Sequence, residues 1–379
     1  MLSRLKFEIE GLFQEIYDER LPETLFMSET TTFADLQSAG LQAIIPIVNK
    51  LRQYGHSDEN IRGRVFAFCE DELDLNSVQF DFSYVPVTFD IYKESIAMKF
   101  DVLVGNDPYQ EKVGPKKTEP LWNKFFMKRI SHLNEGGFMC LIHPSGWRNI
   151  TGKFKDVQEV IRSKKVSFLS IHNEKDGMET FGAETRYDYY VLQNVDNDGS
   201  ETTVRFQDGQ IKEMVLDNMD FIPNGGIDLL NTLIAKDGEE TVQMIHSYSN
   251  YETRKTWVSK TQTNEFCHPV VYTVNYLSEP TFHYSSTNQN GHFGQPKVIW
   301  SNGRISSIGN YIDETGEFGL TQFAYAIVDE VENLENIKKA LDSKKFKNLM
   351  ELCAVGQLTV NHKVVAKFKK DFWREFINE

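Results

Sequence analysis

The stretch FDVLVGNDPYQ, residues 100–110, sets an apolar run directly before an amide, an acid, a proline and an aromatic. That combination suits one kind of chemistry. An exocyclic amine on a nucleobase is a poor nucleophile, because its lone pair is delocalised into the ring. A site helps by accepting hydrogen bonds from both amine hydrogens, which localises the lone pair on nitrogen. The Asn106 side-chain oxygen and a nearby backbone carbonyl can be those acceptors. Pro108 stiffens the turn, and Tyr109 offers a ring face for a base drawn out of its helix. Taken in isolation, the same residues also describe an ordinary strand-to-loop turn, where Asn and Pro are common.

Other chemistries find less support. The nine histidines show neither HExxH nor H-x-E spacing, so no metal site is indicated. Cys69, Cys140, Cys267 and Cys353 occur singly with no CxxC pair, which argues against a zinc knuckle or a disulfide framework and fits a reducing cytosol. No signal peptide is read at the charged N-terminus, and the longest apolar runs are too short to span a bilayer. A net charge of −14 argues against a protein coated in positive charge but leaves room for a local basic face. Such a face is found at the end of the chain: Lys338 to Arg374 holds ten Lys or Arg against three acids.

The elements that must hold the corner alternate in type. An amphipathic helix is expected over 1–20, a short strand over Thr32–Asp35, and a helix over about Leu41–Tyr54. Strands follow at Arg64–Cys69 and Phe100–Gly105. The spacing predicts a helix over Leu121–Leu133, stopped by Gly136 and Gly137, then strands at Phe138–Ile142, Val166–Ile171 and Tyr187–Gln193. Strands alternating with helices predict an α/β fold with a parallel sheet covered on both faces. Ligands of such sheets bind beyond the carboxyl ends of the strands, which is where Asn106 to Tyr109 sit. Composition turns polar at VDNDGS, residues 195–200, a linker candidate. Two domains follow, 1–195 and 196–379, the second richer in turns and ending in helical segments.

In this context FDVLVGNDPYQ resembles the catalytic motif of amino-group methyltransferases, usually N-P-P-Y. Neighbouring segments match in order: TFADLQSAGLQAI for the cofactor strand and turn, RVFAFCEDE for the acidic residue after strand 2, EGGFMCLIHPSGW, and TFGAETRYDYYVLQN. The series resembles gamma-type N6-adenine DNA methyltransferases of the Eco57I-like group, found in bacterial and phage restriction–modification systems. In the C-terminal half NGHFGQPKVIWSNG, DETGEFGLT and KKDFWREFI resemble that group's DNA-recognition region. The resemblance implies a Rossmann-like S-adenosylmethionine-dependent methyltransferase sheet in 1–195 and a mixed α+β target-recognition, DNA-binding domain in 196–379.

It also implies roles for residues. Asn106, Asp107, Pro108 and Tyr109 form the catalytic corner, with N6 of a flipped adenine as acceptor. Asp35, Ser38, Ala39 and Gly40 stand at the S-adenosylmethionine loop, and Leu41 where a second glycine is expected. Glu70 is the implied ribose-binding acid, with Glu72 as runner-up. The adenine side of the cofactor falls to the stretch 81–90, where both Asp81 and Asp90 fit; Phe181 and Tyr187 lie near the target base. Lys297, Arg304, Lys367, Lys369 and Lys370 are the implied phosphate contacts. The implied partners are double-stranded DNA and, where one exists, a cognate restriction endonuclease. The implied setting is the cytoplasm of a bacterial or phage-infected cell, with no membrane and no metal. Asp107 departs from the family's proline: the carbonyl is kept, the fixed φ is lost, and a carboxylate is added. This departure and the glycine-poor loop motivate a second reading, a methyltransferase fold that has lost turnover and keeps a DNA- or protein-binding role. A third, methylation of protein glutamine or RNA, uses the same corner on another nitrogen.

Overall fold

The structure, a computed structural model, describes residues 2–38, 40–93, 97–115, 117–150, 152–218, 220–355 and 359–377. It divides into two compact units, Met1–Asn224 and Gly225–Glu379.

The first unit opens with helices α1 (Leu2–Glu19) and α2 (Thr24–Met27), then strand β1 (Phe33–Asp35). Helices α3 (Ile44–Gln53) and α4 (Asp58–Arg62) lead to β2 (Val65–Cys69), and α5 (Glu72–Asp81) to β3 (Thr88–Ile91). Strand β4 (Phe100–Asn106) carries the corner and is followed by the hairpin β5 (Gln110–Gly114) and β6 (Lys117–Pro120). Helix α6 (Trp122–Ser131), strand β7 (Leu133–Pro144), α7 (Lys155–Ser163), β8 (Lys164–His172), α8 (Glu174–Phe181) and β9 (Tyr187–Asp196) follow; α6, β7, β8 and β9 answer to expected elements. Strands β10 (Thr202–Arg205) and β11 (Ile211–Met214) come next; like β3, β5 and β6, they were not foreseen.

Among the described residues nine strands form one sheet, in the order β11-β10-β8-β9-β7-β4-β1-β2-β3. Strands β1, β2, β3, β4 and β7 run parallel; the inner strands β2 and β4 are apolar almost without break, as burial on both faces requires, while edge strand β3 is only partly buried. The sheet is mixed rather than purely parallel: β9 lies antiparallel to both β7 and β8, and β11 to β10. The order reverses at β1, from which the chain goes first to β2 and β3 and then to β4 on the other side. That reversal opens a crevice at the carboxyl ends of β1 and β4. Asp35 and Val104 are register partners, so the loop after β1 and the corner after β4 leave the sheet side by side.

Helix α3 shows why these residues fold as they do. Ile44, Ile47, Val48 and Leu51 recur at helical spacing and all are buried, each contributing roughly 1.5–3 kcal/mol. Phe13, Ile16 and Tyr17 of α1 join the same core, and the Tyr17 hydroxyl donates to the Ala43 carbonyl at 2.8 Å. Helix α8 starts on a capping box, Asn173 with Asp176, and ends on Gly182 at φ 68°. Helix α6 ends at Ser131, and Gly136 and Gly137 lie within β7 instead of stopping the helix. Gly136, at φ 75°, bends β7 between Leu133 and Phe138, where β7 advances five residues while β4 advances two, from Phe100 to Val102.

The division of the chain is also corrected. The polar stretch at 195–200 is a turn, because β10 pairs in parallel with β8 and β11 closes the edge. The connection then runs to Asn224 under the buried Arg148 guanidinium, which donates to the carbonyls of Ile222 (2.7 Å) and Pro223 (3.3 Å) and to Asn224 Oδ1 (2.8 Å).

The second unit is mixed α+β. After α9 (Ile227–Leu233) come β12 (Gln243–Ile245), β13 (Val258–Ser259), β14 (His268–Val274), β15 (Pro280–Ser285), β16 (Lys297–Ser301), β17 (Asn310–Asp313), β18 (Gly319–Leu320) and β19 (Ala324–Val328). They make two four-stranded sheets, β12-β19-β16-β17 and β13-β15-β14-β18. Helices α10 (Val331–Asp342), α11 (Lys344–Cys353) and α12 (His362–Val365) follow. Among the described residues no helix is long and apolar enough to cross a membrane.

Candidate active site

Strand β4 ends at Asn106, and the corner turns into a cavity of about 550 Å³. Asp35, Gln37, Asn106, Asp107, Pro108 and Tyr109 line it, together with Ile9 and Phe13 of α1 and Phe181, Ala183, Glu184 and Thr185 at the end of α8. Two polar atoms on this wall are buried without a protein partner: Asn106 Oδ1 and the Tyr109 hydroxyl. A buried acceptor left unpaired costs about 1–3 kcal/mol, and a molecule entering the cavity can offset that cost by bonding to these atoms. The Tyr109 ring meets the Phe181 ring edge-on at 5.9 Å, and burial holds its hydroxyl well above the usual tyrosine range, in its neutral form.

Asp107 turns its carboxylate inward. The Arg129 guanidinium of α6 donates through Nε to Asp107 Oδ2 (3.1 Å) and through Nη2 to Asp107 Oδ1. The same Nη2 reaches Asp35 Oδ1 at 3.0 Å, while Nη1 donates to the Val104 carbonyl at 2.7 Å. All three charged groups are buried, Arg129 to 1% exposure. Burial alone would lower the Arg129 pKa; Asp107 and Asp35 outweigh it and hold the guanidinium above its ordinary value. Burial raises Asp35, and Arg129 offsets only part of that rise. Gly105 makes the approach possible, since a Cβ there would overlap the guanidinium. Arg129 escaped the reading of the sequence. Its signal was available: it falls in the row Trp122, Phe126, Arg129 on the buried face of α6, where a charge must find a partner.

The loop expected to hold the cofactor leaves β1 at Asp35. Ser38 N–H donates to the Phe68 carbonyl at 2.8 Å, and the Ser38 hydroxyl oxygen is buried without a protein partner. Ala39 lies outside the described residues. A Cβ at the buried Gly40 would crowd the Gln42 amide at 2.7 Å. Leu41 is held at φ 56°, the conformation a glycine would supply. Gln37 reaches Glu70 Oε2 at 3.1 Å, which ties the end of β2 to the cavity wall. Glu72 and Asp81 are exposed on α5, and Asp90 sits on edge strand β3 with its carboxylate accepting from Ile91 N–H at 2.7 Å. The structure therefore gathers Asp35 and all four corner residues on one cavity, with Ser38, Gly40 and Glu70 adjoining, while Asp90 is not among the lining residues.

Other aromatics are core. Tyr187 and Trp147 are buried, and His143 stacks on Trp122 at 4.4 Å with Nε2 bonded to the Tyr190 hydroxyl at 3.0 Å. In the second unit Lys297 is corrected: it is fully buried, paired with Asp313 at 2.7 Å and bonded to the His292 and Gln295 carbonyls, so it presents no charge to a phosphate. Arg304 is exposed and Lys367 partly so. Lys369 and Lys370 lie opposite Glu239 (3.7 Å) and Glu240 (3.6 Å), surface pairs that a phosphate could displace at small cost. Among the described residues no group of three His, Cys, Asp or Glu is placed to hold a metal ion.

Comparison with known proteins follows the same geography. Residues 39–177 match the family model of Eco57I restriction-modification methylase. No curated protein matches the chain. The fold is similar to the methyltransferase subunit of a type I restriction-modification system from Streptococcus thermophilus, at 12% identity, 52% of this chain, 48% of that chain and TM-score 0.35. It is also similar to the type IIG restriction endonuclease BpuSI (10% identity, 99% of this chain, 60% of that chain, TM-score 0.47). A third is the type IIL restriction-modification enzyme MmeI, solved in complex with DNA (10% identity, 97% and 65%, TM-score 0.45). The chain spans 48% to 65% of the length of these three structures, and 61% and 53% of two further matches. The segment similar to the Eco57I restriction-modification methylase model runs from the loop after β1 through the corner and Arg129 into α8.

Proposed function

We propose that the protein is an S-adenosylmethionine-dependent DNA methyltransferase whose acceptor is N6 of an adenine turned out of the duplex. The observation that carries this is the buried, unpartnered Asn106 Oδ1 on a cavity shared with the Asp35 loop. Asn106 accepts one hydrogen bond from the amine and the Asp107 carbonyl the other, which concentrates the lone pair on nitrogen. Tyr109, backed by Phe181, supplies the stacking face, and the cavity wall from α1 and α8 keeps water from competing for the acceptors. The residues fit the cofactor: the free Ser38 hydroxyl suits its methionine end, and Glu70 with Gln37 suits the ribose hydroxyls. When bound, S-adenosylmethionine supplies an electrophilic methyl group, so no metal or covalent enzyme intermediate is needed. The second unit, with Arg304, Lys367, Lys369 and Lys370, is assigned to DNA recognition, and a cognate endonuclease is a partner where one exists.

The two departures from the family pattern support turnover over a silenced fold. Leu41 keeps the glycine conformation of the loop, and the Asp107 carboxylate is neutralised away from the acceptor position. Calorimetry with S-adenosylmethionine, then tritiated methyl transfer to unmodified DNA with nucleoside analysis, tests the reading. Asn106→Ala should lower transfer by about a hundredfold or more while cofactor affinity is kept. Retained transfer in that variant would place the chemistry elsewhere.

A further inference from the structure

We propose that Asp107 and Arg129 are positioning residues: the Asp35–Arg129–Asp107 cluster is an ionic clamp that fixes the corner and the cofactor loop to one another. The inference rests on the reading of the corner as the methyl-transfer site. One side chain from α6 holds three points at the carboxyl ends of two adjacent strands: the Val104 carbonyl in β4, Asp107 just beyond it, and Asp35 at the end of β1. The clamp is dry, since all three side chains are nearly or wholly buried, so water does not compete for its hydrogen bonds. It also sits immediately behind the chemistry, because Asn106 and Pro108 flank the clamped residue.

The clamp answers what an acid does in a place suited to proline. A proline would hold the turn through its ring. Asp107 holds it through its side chain, which Arg129 bonds at both oxygens. Asp107 precedes Pro108 and is thereby confined to extended backbone, a region in which proline is equally at home. The two devices should therefore substitute for each other at the corner. They differ at the loop: only the carboxylate, through Arg129, couples the corner to Asp35.

A purely structural role predicts that Asp107→Pro is at least as harmful as Asp107→Ala, because both lose the same hydrogen bonds. The clamp predicts the opposite order. Asp107→Ala should lower kcat by about a hundredfold, as expected for a loosened reacting geometry, with KM for DNA little changed. Asp107→Pro should recover at least about tenfold of that loss at an equal or lower melting temperature. Asp107→Asn, which keeps the volume and one acceptor oxygen, should lie nearer the parent protein and serves if the alanine variant does not fold. Amide hydrogen exchange needs no turnover and decides the structural half. Exchange in Asp107→Ala should rise about tenfold in both 109–111 and 36–42, and in Asp107→Pro only in 36–42. Parent-like exchange in Asp107→Ala, or a kcat for Asp107→Ala equal to or above that of Asp107→Pro, overturns the clamp. Absence of methyl transfer in the parent protein would sink the functional reading, while the exchange pattern would still decide the clamp.

Discussion

Leu41 sits at φ 56° with its side chain wholly buried in the core of the first unit. The left-handed conformation costs an L-residue about 1–2 kcal/mol, and burial of the leucine offsets it. This competition yields an inverted order of substitutions. Leu41→Ala loses the packing and keeps the backbone cost, so it should destabilise by about 2–5 kcal/mol. Leu41→Gly loses the packing but relieves the backbone, and should be less harmful than alanine by roughly 1 kcal/mol, although glycine is the worse choice at most positions. Denaturant unfolding of both variants checks this; an alanine variant more stable than the glycine one would mean the loop does not need the glycine conformation. At this scale the sequence was legible in part. Asn106, Tyr109 and the loop could be read because amide, aromatic and glycine each carry local chemistry. The partner of Asp107 could not be read from neighbouring residues, because Arg129 lies 22 positions away and meets it only through packing of α6.

Elements were legible where hydrophobic period and length agreed. Helix α3 and strands β2, β4 and β9 stand close to the expected ranges because each is a long apolar pattern with clear ends. Strands β10 and β11 were missed because they are four residues each, polar on one side, and gain their stability only from pairing with β8 and each other. The polar turn before them therefore passed for a linker. Their importance is testable. A fragment of residues 2–200 leaves the β8 edge open, with Phe168, Leu169 and Ile171 on it, and should associate or precipitate. A fragment of residues 2–224 keeps the covering strands and the Arg148 anchor, and should remain monomeric in sedimentation. Equal behaviour of the two fragments would show that the hairpin does not protect the sheet.

Over the whole molecule, acid sensitivity has an identifiable source in the second unit. Burial, with the charge of Lys297 beside it, pushes the His292 imidazole down to about 4, and its Nδ1 accepts from Leu320 N–H at 3.2 Å. His362 is likewise lowered to about 4, by burial and by His246. A histidine depressed in the folded state contributes stability that is complete above the unfolded value, about 6.5. That contribution is lost as pH falls from there towards 4, because the unfolded chain takes up the proton first. The melting temperature of the second unit should therefore fall between pH 6.5 and 4, and His292→Gln should flatten part of the slope. A melting temperature constant across that range would contradict the assignment.

The clamp behind the corner also changes how such sequences can be compared. Gly105, Asp107 and Arg129 act as one unit: the glycine makes room for the guanidinium, and the guanidinium offsets the charge of the acid. A chain with the acid and no arginine would bury two carboxylates with no cation, a cost of several kcal/mol. Gly-Asn-Asp-Pro-Tyr with an arginine 22 residues after the Asp is thus a single three-letter word spread along the chain, and its letters are to be scored together rather than one at a time.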